Sequence, residues 1–157
     1  MAETSSTKTN KAAFCFRIGL FAGLIWGLVK IIEHALEFTT VVPGFLVEPF
    51  YKHPFLATWP GYLIGWGSFI AFSIAAAYGY MAMLGKAKGP GPGIAYGVGI
   101  WALLYLLAGP LLGLVPPINE LTFNTLITDL CLFLLWGLFI GYSISFELTN
   151  DRTRATS

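Results

Sequence analysis

The sequence predicts an all-α integral membrane protein, with four transmembrane helices in a compact bundle and both termini on the cytoplasmic side. Three observations predict it. Hydrophobic residues make up 56% of the 157 residues and charged residues only 11%, whereas soluble chains carry about a quarter charged. Four apolar runs are each long enough to cross a hydrocarbon layer about 30 Å thick. The lysines and arginines gather in segments that a four-span topology puts on one side.

Residues 1–13 are polar, rich in Ser, Thr and Lys, and read as a disordered cytoplasmic tail. They resemble the charged start of a signal peptide, but the apolar run that follows is too long and lacks a cleavage site. The first span covers 14–37. The connection 38–59 is interrupted by Pro43, Pro49 and Pro54, which forbids another span. It is too apolar for a solvated loop, so it reads as an interfacial or partly re-entrant segment, with Tyr51 and Trp59 at headgroup level. The second span, 60–84, opens on Pro60, a residue suited to a helix's first turn. Residues 85–93 hold four glycines and two prolines and form a turn. The third span, 93–115, carries Pro110 in its interior, where a missing N–H bends a helix. The fourth span covers 122–146, the transmembrane domain as a whole 14–147, and 148–157 form a polar cytoplasmic tail.

Lys8, Lys11 and Arg17 begin the first span, Lys86 and Lys88 lie in the middle turn, and Arg152 and Arg154 are in the tail. The opposite side has only Lys52, with Lys30 near the end of the first span. The positive-inside rule therefore puts both termini in the cytoplasm of a multi-pass cell-membrane protein. Arg17 sits near that interface and can snorkel to it. Cys15 and Cys131 fall about 20 Å apart and read as separate apolar packing residues.

Every span carries small residues four apart: Gly19, Gly23 and Gly27; Gly61 and Gly65; Gly93 and Gly97; Gly137 and Gly141. In lipid, burying one apolar side chain against another gains little, so close backbone approach supplies the packing energy. These faces are expected to pack internally, with dimerisation as the alternative. A Trp followed by a small residue occurs once per span, a weak hint of a parallel duplication.

The charged stretch Lys30–Glu37 is the feature that most needs explaining. Lys30, His34 and Glu37 share one helical face, with Glu33 one residue to the side. Intramembrane charge is costly, so such a group is a candidate binding site by default. Counting the crossing from Arg17 moves it to the outer third of the span, where Asp129 of the fourth span reaches a similar depth. Three readings stay open: a structural Lys30–Asp129 or Lys30–Glu33 pair, a pocket for a cation, proton or headgroup, and a metal site built on His34, Glu37 and Glu33 with Glu48 or His53. The third lacks the paired Glu-x-x-His pattern, so no metal and no cofactor is expected. Ser143 and Ser145 have no histidine on their side to activate them, and no phosphate loop or dinucleotide fingerprint is present. An enzyme is not expected, and a net charge of +1 gives no reason to expect nucleic acid.

Asn119-Glu120-Leu121-Thr122, Thr125-Leu126-Ile127-Thr128, Cys131-Leu132 and the run Gly137 to Glu147 resemble the YqhR family of Gram-positive, spore-forming bacteria. Gly23-Leu24-Ile25-Trp26, Pro43 and Glu48-Pro49-Phe50 fit the same resemblance, which covers most of 14–147. It implies a four-helix cell-membrane protein and supplies no activity. It also draws attention away from Lys30–Glu37 to Gly137, Gly141, Tyr142, Ser143, Ser145 and Glu147 as a packing or interaction motif. The expected function is a non-catalytic structural or partner-binding component of the cell membrane. Its partners are the lipid bilayer and either a second copy or another membrane protein. The alternative is a small oligomeric transporter or channel subunit using an outer-side polar pocket.

Overall fold

The structure, a computed structural model, describes residues 11–156. The expected tail 1–13 lies mostly outside them. Five α-helices follow in order: α1 (Lys11–Ala35), the one-turn α2 (His53–Leu56), α3 (Trp59–Leu84), α4 (Gly91–Leu112) and α5 (Phe123–Thr156). A 3-10 turn at Phe45–Val47 precedes α2, and no strand occurs among the described residues. Helices α1, α3, α4 and the part Phe123–Asn150 of α5 are each long and apolar enough to cross a membrane.

The helix ends depart from the sequence reading for local reasons. α1 is already helical at Lys11, three residues ahead of the expected span, and Lys-Ala-Ala are good helix formers. α4 already starts at Gly91, and Pro92 in its first turn costs no backbone bond. It ends at Leu112, where Gly113 takes the left-handed conformation at φ 69°. The expected tail 148–157 is helical as far as Thr156. No Gly or Pro follows Gly141 to stop α5, and Thr149 and Thr153 fold their hydroxyls back onto the carbonyls four residues earlier, at 2.8 and 3.0 Å.

Ahead of Pro110, where a bend was expected, the helix changes its hydrogen-bond pattern. Residues Leu103–Ala108 form a π-helix directly ahead of the proline. There the Gly109 N–H bonds to the Leu104 carbonyl, five residues back. The wider turn makes room for a pyrrolidine ring that would otherwise strike the preceding turn.

The helices associate as two tight antiparallel pairs, α1 with α3 and α4 with α5, joined chiefly by α1 against α5. Glycine sets both distances. A Cβ at Gly19 or Gly23 would strike the Ile74 or Ile70 backbone of α3. A Cβ at Gly93 would lie 2.8 Å from the Gly137 carbonyl oxygen. Between the pairs sits an aromatic core in which Phe133 and Trp136 meet at 5.6 Å and the Trp136 indole N–H donates to Ser73 Oγ at 2.9 Å.

Lys11, Phe14 and Cys15 pack beside Ile144, Glu147 and Leu148, so both termini leave from one end of the bundle. The connection 36–58 crosses the other end and divides in two. Val41, Val42, Phe45 and Leu56 fill the mouth of the bundle, while Phe50 is 82% exposed, and Trp59 at the start of α3 71%. Cys15 is buried against Met81 as expected of a packing residue, whereas Cys131 is exposed on α5.

Candidate functional site

Four segments meet under the 36–58 connection. α1 brings Lys30 there because Lys30 shares the inward face of Gly19, Gly23 and Gly27. α5 brings Asp129, six residues and therefore about 9 Å in from its start. Thr122 fixes that start, because its hydroxyl accepts the Thr125 N–H at 3.3 Å as a helix cap. The π turn of α4 brings Tyr105, and the connection brings Thr39.

The chain reaches Thr39 through a tight reversal at the end of α1. The Phe38 N–H bonds to the Glu33 carbonyl at 2.9 Å, and the Glu37 N–H to the His34 carbonyl at 3.1 Å. This pair of bonds requires a left-handed residue between them, which is usually glycine. Here it is Glu37, at φ 61°. The strained residue turns the chain back over the bundle.

Lys30 and Asp129 form an ion pair through Asp129 Oδ1, with side chains 2% and 0% exposed. Asp129 Oδ2 accepts the Thr39 hydroxyl at 3.0 Å and the Tyr105 phenol at 2.5 Å. Thr39 Oγ1 in turn accepts the Val41 N–H at 3.2 Å and lies 3.5 Å from Lys30 Nζ. The Lys30 ammonium also sits 5.8 Å from the centre of the Phe45 ring. A second hydroxyl contact flanks the pair, with the Thr40 N–H donating to Thr125 Oγ1 at 3.1 Å. Two buried charges are tolerable only when geometry and further hydrogen bonds replace lost hydration. Here that replacement comes from every element that borders the pair.

The other members of the Lys30–Glu37 stretch separate. His34 Nδ1 lies 3.2 Å from the Thr39 carbonyl, which makes that nitrogen the donor, and the ring stands edge-on to Tyr62 at 5.8 Å. Glu37 is exposed at the helix end. Glu33 is half-buried, and its Oε2 is enclosed without a hydrogen-bond partner, as is the Trp101 indole nitrogen on α4. His53 binds Glu48 at 2.7 Å on the surface of the connection. Among the described residues no three His, Cys, Asp or Glu side chains come together as a metal-holding group.

The α5 motif is distributed around its helix. Gly137 and Gly141 lie against Gly93 and Gly97 of α4. Ser145, on the same face, is buried with its hydroxyl 3.3 Å from that of Tyr80. Tyr142 is exposed and stacks on Phe146, Ser143 is half-buried, and Glu147 is half-buried beside the start of α1. The site thus gathers Lys30 and Asp129 and leaves out Glu37 and the α5 motif. Thr39, Thr40 and Tyr105 escaped the sequence reading. For Tyr105 the available signal was Pro110 five residues downstream, which distorts the helix that carries it.

Comparison with known proteins places the whole chain. The family described as "Conserved membrane protein YqhR" matches residues 2–157. The chain is also 36% identical over 135 residues to a Bacillus subtilis (strain 168) protein titled "Uncharacterized protein YqhR", covering 82% of this chain and 72% of that protein. No solved structure matches. With four apolar helices in one bundle and this match along its length, the chain belongs to the YqhR family of conserved membrane proteins.

Proposed function

We propose that this protein is a non-catalytic component of the cell membrane, with both termini cytoplasmic, that acts by binding a partner. The observation that carries this reading is the closed state of the buried charges. Lys30 and Asp129 spend their bonding on each other and on Thr39 and Tyr105, which is how a bundle is locked rather than how a substrate is met. The small-residue faces are likewise spent on α1–α3 and α4–α5 contacts. α5 supplies a handle for a partner. At 1.5 Å per residue its 34 residues extend about 50 Å, some 20 Å more than the hydrocarbon layer requires. The positive-inside distribution supports a cytoplasmic position for that extension. Crosslinking in native membranes, followed by pull-down from mild detergent, tests the proposal. A discrete crosslinked species, lost when 148–157 are deleted, is the expected result, and isolated monomers throughout would overturn it.

A second reading, a small oligomeric transporter or channel subunit, draws on one observation. Glu33 Oε2 is a buried acceptor without a partner, and the residue lies within Coulombic reach of Lys30 and Asp129. Ion flux in reconstituted vesicles that is unchanged when Glu33→Gln and Asp129→Asn are combined would eliminate it.

A further inference from the structure

We infer that the end of the bundle carrying the termini holds anionic phospholipid headgroups, with Arg17 as the anchoring residue. Arg17 lies six residues along α1 from Lys11, about 9 Å. It is exposed on the face opposite the one where Gly19 and Gly23 press against α3, and Phe16 and Phe21, 48% and 52% exposed, flank it there. Its side chain makes no hydrogen bond or ion pair among the described residues. A guanidinium keeps its charge in proteins, and a charge facing hydrocarbon is costly. Its side chain therefore turns along the helix toward the interface, where a lipid phosphate offers two oxygens that fit its paired donors.

The charge around Arg17 selects the kind of headgroup. Among the described side chains this end carries Lys11, Arg17, Lys86, Lys88 and Arg152 against Glu147. The opposite end carries Lys30 and Lys52 against five acids. Lys86 and Lys88 are exposed, as is Lys11. Each such cation near an anionic surface contributes about 1 kcal/mol, or roughly fivefold in association. Tyr78 and Tyr142 add exposed phenols at this end, the Tyr78 hydroxyl donating to the Ala12 carbonyl at 2.8 Å. A ring of this kind prefers a headgroup with net negative charge over a zwitterionic one. The preference does not depend on which side of the membrane the end faces.

The test uses the full-length protein in phosphatidylcholine vesicles containing a trace of spin-labelled phosphatidylglycerol or spin-labelled phosphatidylcholine. The reading is the ratio of the two motionally restricted fractions. The expected result is a preference for phosphatidylglycerol at low salt that weakens as salt rises. It falls roughly fivefold in Arg17→Gln, is mostly kept in Arg17→Lys, and is unchanged in Lys52→Gln at the other end. Equal restriction of both lipids by the wild-type protein at low salt overturns the proposal, whatever the variants do. So does a preference that survives intact in Arg17→Gln.

Discussion

The two ends of this bundle handle charge in opposite ways. At the end crossed by the 36–58 connection, Lys30 and Asp129 are withdrawn from every solvent and matched atom by atom. At the end with the termini, Lys11, Arg17, Lys86 and Lys88 are exposed. The physical difference is desolvation. A buried charge must have all its hydration replaced by protein, so its neighbours become obligatory. An exposed charge keeps its hydration, so any one cation is nearly dispensable to the fold. Sensitivity to substitution should therefore be steeply unequal between the ends.

The largest expected effect is at Asp129. Asp129→Leu strands the Lys30 ammonium in the bundle and should cost about 3–5 kcal/mol in detergent unfolding. Adding Lys30→Met removes the stranded charge and should recover more than half of that loss. A double variant as unstable as the single one would show that the pair is not what holds this end together.

Next comes Tyr105→Phe, which removes one charge-assisted hydrogen bond to Asp129 and should cost about 1.5–3 kcal/mol. If equilibrium unfolding shows no loss, the phenol is not a working member of the network, and the π turn that aims it serves only Pro110.

A smaller effect with the opposite sign is expected at Glu37. Its left-handed backbone, φ 61°, suits glycine, so Glu37→Gly should raise stability by about 1 kcal/mol. A loss measured in the same assay would mean that the Glu37 side chain contributes something that its exposure conceals. The smallest effect belongs to the opposite end, where Lys88→Gln should change stability by no more than about 0.5 kcal/mol. A loss as large as that of Tyr105→Phe would erase the contrast between the ends.

Much of the architecture was legible from residue pattern alone. Four apolar runs and the prolines between them gave four spanning helices, because backbone polar groups in lipid must be satisfied within one helix. The glycine spacing marked the faces that meet, although not which helix each face would meet. The helical end of α5 was not legible, because a polar run does not by itself end a helix. Composition marks where hydrocarbon stops, whereas helix continuation depends only on the absence of Gly, Pro or another breaker. Within the site, Lys30 and Asp129 were visible because charge is rare in such a chain. Thr39 and Tyr105 were not, since hydroxyls are common and nothing local distinguishes one that will be buried.

The sequence by itself determined that this chain spans a membrane, where its spans lie and that Lys30 needs a partner, because hydrophobic length and charge cost are local properties. Only the tertiary structure decided that the partner is Asp129 rather than Glu33, one turn away on the same helix. It likewise decided that Glu37 would bend the connection back over the pair and that a π turn would aim Tyr105 into it. Those choices depend on which backbones glycine allows to approach, and that is settled between helices rather than within one.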